Sequence, residues 1–274
     1  MTTSYDCSDP TQRSEGLAAA QRAVSLKQCI VLPTDTVYGI GADAFSPQAV
    51  ATLLASKGRG RNMPPPVLIP RIQTLDGLAT EVHPDARRLA EAFWPGGLTL
   101  ICLAQPSLTW DLGDTLGTVA LRMPDDETAL ELLTLTGPLA VSSANRTGRP
   151  AATTAAEAAE QLAESVAVYL DAGPRADAGG TGSTIVDTTG ELLRVVRQGT
   201  VSLEELRAVV PGVVGIDGEL PDAPDARDAG TPEDADAPTP DQADSPTPDA
   251  PGAGTPDQAD APDAGTPEDA DAGR

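Results

Sequence analysis

The chain has 274 residues and a formal net charge of −23, from 41 acidic and 18 basic residues, with a single histidine. That excess argues against nucleic-acid binding driven by the overall field; any such contact would rest on a local patch. Three widely spaced cysteines (Cys7, Cys29, Cys102) with no CxxC pair argue against a disulfide framework or thiolate zinc site, and one histidine excludes a His-rich metal site.

The first 13 residues are polar and are expected to be flexible, without the apolar stretch of a signal peptide. No apolar run reaches membrane-spanning length, so a cytoplasmic protein is expected. Helical spacing of apolar residues predicts a helix over 14–28, with Ser14 as N-cap. A short buried strand follows at 29–32, then a polar, glycine-rich turn over 34–44. Ser46-Pro47 opens a second helix to about residue 56. Just beyond it lies the run Lys57-Gly58-Arg59-Gly60-Arg61-Asn62, which holds one of only two lysines in the chain. Alternating cations and glycines can surround an anion from several sides, although a solvated basic turn would read the same way.

Strands are expected at 66–69, 98–103, 118–123 and 139–141. Helices are expected at 83–92, with His83 at the helix start, and at 125–135 and 153–164. A strand at 166–170, a strand pair at 183–187 and 192–196, and a helix at 201–209 close the folded part. Helices and strands alternate early and strands crowd late, so the expected class is α/β with a mixed parallel and antiparallel sheet, flanking helices and a concave cleft. One folded domain is expected over 14–212. Of the 41 acidic and 18 basic residues, 17 and 2 fall in 217–274 (net −15), leaving 24 and 16 (net −8) for 1–216. This Pro/Asp/Ala/Thr stretch carries near-repeats such as GTPEDADA and almost no large apolar residue, so it is expected to be a disordered acidic tail.

Two nucleotide signatures fail. Residues 39–44 match GxGxxA, but the region about twenty residues on carries Arg59, Arg61 and Asn62 where a dinucleotide fold needs an acid. No GxxxxGK[ST] occurs. What remains is a set of small polar and cationic residues at strand ends: Ser142-Ser143-Ala144-Asn145, Arg122 at the end of an apolar strand, Thr181 to Thr184, and Arg197. A charge at the margin of a core needs a partner, from the protein or from a ligand.

In order, Thr34-Asp35-Thr36-Val37-Tyr38-Gly39, Lys57-Gly58-Arg59, Trp94-Pro95-Gly96, Arg122-Met123-Pro124, Ser143-Ala144-Asn145 and Ser183-Thr184-Ile185-Val186-Asp187 resemble the YrdC family of L-threonylcarbamoyladenylate synthases. The resemblance covers roughly residues 14–210. It implies a nucleotidyltransferase that makes threonylcarbamoyl-AMP and pyrophosphate from L-threonine, bicarbonate (or CO2) and ATP with Mg2+, for the t6A modification of tRNA. It assigns Lys57, Arg59, Ser143 and Asn145 as the catalytic quartet. ATP would be held by Lys57, Arg61, Thr118, Ser143, Asn145, Arg149 and Arg197, and threonine by Thr34, Arg122, Ser142 and Ser183, with no protein-held metal. A downstream tRNA threonylcarbamoyl transferase complex and weak tRNA contact are implied as partners. Two departures stand out: Val67-Leu68-Ile69 replaces the family's common Val-His-Val, and Arg197-Gln198-Gly199 replaces Arg-Pro-Gly. Two alternatives remain at this point, a carbamoyl-adenylate-handling enzyme on the same fold and a non-catalytic RNA-binding module.

Overall fold

The computed structural model describes residues 2–175 and 181–220. The expected disordered tail therefore falls, beyond residue 220, outside the described residues. Among them no helix is long and apolar enough to cross a membrane.

Eleven strands form one sheet among the described residues. In chain order they are β1 (Thr3–Asp6), β2 (Ile30–Leu32), β3 (Gly39–Asp43), β4 (Val67–Leu68), β5 (Ala79–Thr80), β6 (Leu98–Ala104), β7 (Thr118–Arg122), β8 (Leu139–Ser143), β9 (Val168–Asp171), β10 (Thr184–Asp187) and β11 (Arg194–Arg197). The spatial order is β1-β9-β2-β3-β8-β4-β7-β6-β10-β11, with β5 on β6. Four pairs are parallel (β1 with β9, β2 with β9, β4 with β7, β6 with β10) and the others antiparallel, so the sheet is mixed as expected.

Seven α-helices flank it among the described residues: α1 (Pro10–Ser25), α2 (Pro47–Lys57), α3 (Leu75–Leu78), α4 (Pro84–Phe93), α5 (Glu127–Thr136), α6 (Ala155–Leu162) and α7 (Leu203–Val209). Most begin with the chemistry that satisfies orphan N–H groups. Ser46, Asp126 and Thr154 cap α2, α5 and α6, Ser202 and Glu205 form a capping box on α7, and His83 Nδ1 accepts from Asp85 N at 3.1 Å.

The N-terminus corrects the expectation of a flexible segment. Residues 3–6 pair in parallel with Val168–Asp171 as an edge strand, and α1 starts at Pro10 rather than Ser14, because Asp9 accepts from Gln12 N at 2.8 Å and Pro10 is pre-set for the first helical position. Residues 39–43, expected as turn, are strand β3. Their glycines let β3 lie hard against β8: a Cβ on Gly39 would sit 2.5 Å from Val141 Cγ1.

The sheet buries both faces over its β9-β2-β3-β8 part, and strand alternation assigns the sides. Ile30, Leu32, Leu139, Val168 and Leu170 pack with Leu17, Ala20 and Val24 of α1 and Leu132 and Leu133 of α5. Val31, Ile40, Ala140 and Tyr169 face the opposite core, shared with α2, α4 and α6. On β6, Leu98, Leu100 and Cys102 continue that second core, while Thr99 and Ile101 point the other way, where α1 and α5 do not reach. The uncovered face becomes a cavity.

Candidate active site

That cavity has a volume of about 430 Å³ and is floored by β6, β7, β10 and the end of β8. One wall is apolar (Pro64, Pro65, Pro66, Leu68, Leu112, Val141), and the remainder carries hydroxyls and three guanidiniums, Arg59, Arg122 and Arg197. No carboxylate lines it among the described residues. Volume and mixed lining suit a small-molecule site, and the surplus of cations specifies an anion.

Arg122 ends β7 and is 6% exposed. Its Nε donates to Gly96 O at 2.9 Å, Nη1 to Thr36 Oγ1 at 3.0 Å and Nη2 to Asp35 Oδ1 at 2.6 Å. Since Thr36 Oγ1 accepts from the arginine, its proton is free for Thr34 Oγ1 at 3.1 Å, and Thr34 in turn donates to Val37 O at 2.6 Å. The turn at 34–37 is thus a hydrogen-bonded chain that ends on the arginine. Three of five guanidinium N–H groups are spent on the protein; one on each Nη remains. Burial lowers the Arg122 pKa, and Asp35 works against that.

Arg59 follows α2, whose last turn closes through Gly58 at φ 63, a left-handed position that favours glycine. Its Nη1 donates to Ser142 Oγ at 2.8 Å, its Nε is buried with no hydrogen-bond partner, and burial lowers its pKa. Arg197, at the mouth, donates to Ser183 O from Nε at 3.0 Å and from Nη2 at 2.7 Å, and also reaches Ser183 Oγ at 3.0 Å. Ser183 Oγ also contacts Thr99 Oγ1 at 2.7 Å. Partial desolvation, then Arg122 and Arg59, lower the Arg197 pKa. The three cations repel one another across the cavity, and among the described residues one carboxylate, Asp35, is paired with them.

Thr34, Arg59, Thr118, Arg122, Ser142, Ser143, Ser183 and Arg197 all line the cavity; four other expected site residues do not. Lys57 is 3% exposed and lies behind the wall, donating to Ser143 O, to Asn145 O at 2.6 Å and to Asn145 Oδ1 at 3.2 Å. Asn145 Nδ2 donates to Arg146 O at 3.0 Å and Arg149 O at 2.7 Å, so the pair pins the loop after β8. Arg61 is committed to Asp111 at 2.8 Å and to Asp114 at 3.6 Å, and Arg149 is exposed on another surface. Neighbours decide these placements, and sequence spacing does not carry them. Asp35, Thr36 and Thr99 were missed as site residues; the only signal was the polar turn at 34–36 and an alternating threonine in an apolar strand. Leu68, 3% exposed, presents an apolar side chain where the resemblance implied a histidine, and Gln198 donates to Val201 O at 2.7 Å.

Two measurable consequences follow. Burial, and secondarily Arg59, lowers the Lys57 pKa from 10.5 to about 8. With only Lys27 and Lys57 in the chain, a 13C NMR titration of lysine Cε should show one midpoint near 8; two ordinary midpoints would contradict the burial. The folded state carries the cost of the charged lysine below pH 8 and is relieved of it as pH rises toward 10.5. Stability should therefore rise between pH 8 and 9, before Cys7 and Cys29, pushed up by burial to about 11, begin to act in the opposite direction. The second concerns Gly199, where a Cβ would overlap backbone atoms of Gly182, Ser183 and Thr184. Gly199→Ala should displace β10's first residues, lower stability by about 1–3 kcal/mol in a urea melt, and loosen the Ser183–Arg197 contact.

Comparison with known proteins agrees with this arrangement. The Sua5/yciO/yrdC family model, described as "Telomere recombination", matches residues 23–199. A Mycobacterium tuberculosis protein provisionally named a threonylcarbamoyl-AMP synthase is 53% identical over 210 residues, 77% of this chain and 96% of that one. The Bacillus subtilis threonylcarbamoyl-AMP synthase is 36% identical over 74% of this chain and 59% of its own. The crystal structure of Pyrococcus abyssi Sua5 complexed with L-threonine superposes with a TM-score of 0.69 at 31% identity, over 80% of this chain and 62% of that one. The chain thus spans about three fifths of the two longer proteins and nearly all of the mycobacterial one. With the family model over residues 23–199 and a relative 53% identical along nearly its whole length, the chain belongs to the Sua5/YciO/YrdC family.

Proposed function

We propose that the chain is an L-threonylcarbamoyladenylate synthase, a nucleotidyltransferase that joins L-threonine, bicarbonate-derived CO2 and MgATP and releases pyrophosphate. The observation that carries this reading is the cavity with three guanidiniums and no lining carboxylate among the described residues. Such a site suits a polyphosphate together with a small carboxylate-bearing ligand. The relatives' name, threonylcarbamoyl-AMP synthase, and the L-threonine complex of Pyrococcus abyssi Sua5 support threonine as the carboxylate-bearing ligand and an AMP-donating nucleotide as the polyphosphate.

In this reading the threonine amine adds to CO2 and loses a proton, giving a carbamate. A carbamate oxygen then forms a bond to the α-phosphorus as the bond to pyrophosphate breaks, and the products are threonylcarbamoyl-AMP and pyrophosphate. Charge builds on phosphate oxygens, so positioning and electrostatic stabilisation suffice and no protein nucleophile is required. Arg59 and Arg197 face the phosphates, with the Ser142, Ser143 and Thr118 hydroxyls beside them, and Arg122 offers its two free N–H groups to the threonine carboxylate. Thr34 and Ser183 complete the threonine side. Lys57 and Asn145 act through the loop they pin, and Lys57 adds positive charge behind it. Arg61 and Arg149 lie outside the cavity lining, and this reading gives them no ATP contact. Among the described residues the lining offers no acidic ligand set, and in this reading Mg2+ enters as part of the MgATP substrate.

Three free, buried thiols fit a reducing cytoplasm. The product would pass to a tRNA threonylcarbamoyl transferase. Calorimetric titration tests the reading: L-threonine and MgATP should each bind saturably at one site. Failure of both to bind, with salt-sensitive RNA binding in their place, would overturn it.

A further inference from the structure

The cavity's charges are unevenly compensated. Arg59 makes one neutral hydrogen bond to Ser142 and leaves its Nε without a partner. Among the described residues, Arg197 donates only to the Ser183 oxygens. Among the described residues, Arg122 is the one of the three that pairs with a carboxylate, Asp35, at 2.6 Å, with side-chain exposures of 7% and 18%. The same Asp35 Oδ1 accepts from Asp125 N at 2.9 Å, which fixes it to the turn between β7 and α5. Arg122 is therefore held in place and neutralised at once, by a residue that does not itself line the cavity.

A ligand entering at Arg122 meets a net-neutral pair, and one entering at Arg59 and Arg197 meets uncompensated positive charge. Net-neutral ligands such as a zwitterionic amino acid suit the first pole, and polyanions suit the second. We propose that Asp35 is a positioning and specificity-determining residue that splits the cavity into a neutral pole for the amino acid and a cationic pole for the polyphosphate. This rests on the synthase reading and adds to it a reason why two ligands of different charge do not exchange places. Without Asp35, all three guanidiniums would favour anions, and ATP phosphates or a simple carboxylate would compete for Arg122.

The test is calorimetric binding of L-threonine and of 3-hydroxybutyrate, which keeps the carboxylate and hydroxyl but lacks the amine and so carries one net negative charge. Wild-type protein should favour L-threonine at least about tenfold, the scale of one partly screened charge. Asp35→Asn keeps an acceptor for Arg122 and Asp125 but removes the charge. It should shrink that preference at least about fivefold, with ATP affinity unchanged or raised. Asp35→Glu keeps the charge and should keep the wild-type ratio. An unchanged ratio in D35N, a lost ratio in D35E, or parallel loss of L-threonine and ATP binding would overturn the proposal. If D35N does not fold, D35E and the wild-type ranking decide, and tighter wild-type binding of 3-hydroxybutyrate overturns it. Wild-type protein that binds neither ligand would defeat the synthase reading as well; threonine binding with an unaltered D35N ratio defeats this inference alone.

Discussion

Arg122→Ala is expected to damage stability and activity together. The guanidinium ties three segments: Gly96 before β6, the 34–37 turn through Thr36, and Asp35 with the start of α5 behind it. Removing one partner of a buried ion pair leaves the other without compensation, which costs about 3–5 kcal/mol. Because the Asp35 side chain keeps 18% exposure and its bond to Asp125 N, the lower end is expected, about 3 kcal/mol. Threonine-dependent turnover should fall at least about 100-fold, chiefly as a raised KM for threonine, since a charge-assisted pair to its carboxylate is lost. Arg122→Lys will not restore it, because one ammonium cannot reach Gly96, Thr36 and Asp35 and still present two donors. A urea melt and initial rates at varied threonine check both halves. Unchanged threonine KM would remove Arg122 from the site.

Arg59→Ala separates the two effects. Among the described residues its side chain makes one hydrogen bond and no ion pair, and its Nε is buried without a partner. The protein gives up little when it goes, and the desolvated charge that burial disfavours goes with it. Stability should change by less than about 1 kcal/mol. Turnover should nevertheless fall about 100-fold or more, because a preorganised cation facing a developing negative charge in a water-poor cavity is worth several kcal/mol at the transition state. Large destabilisation with little kinetic effect would make Arg59 a structural residue and leave Arg197 as the remaining cation at the phosphate pole.

The alternation of helices and strands and the mixed sheet were legible in the sequence, because caps and strand alternation are local. His83 at a helix start and Ser46 before Pro47 are examples. Legibility ended where partners far apart in the chain decide the structure. Thr3–Asp6 looks like a polar terminus and becomes a strand only because Val168–Asp171 offers an open edge. Residues 39–43 look like a glycine turn and become a buried strand because β2 and β8 enclose them. In the site, the cavity-lining cations Arg59, Arg122 and Arg197 could be named from strand-end position and family resemblance. Arg61 could not be told from Arg59 by spacing, since Asp111 and Asp114, fifty residues on, claim it. Lys57 lies within the same basic run but turns inward to oxygens of Ser143, at the end of β8, and Asn145, just beyond it. Asp35 went unnoticed because its role exists only opposite Arg122.

Pyrophosphate release from MgATP by the purified full chain, with L-threonine and bicarbonate omitted in turn, tests the central claim most directly. Release that requires both, and that is lost in Arg59→Ala while the fold persists, is the predicted result. Release that needs neither, or no release under any combination, would contradict the synthase.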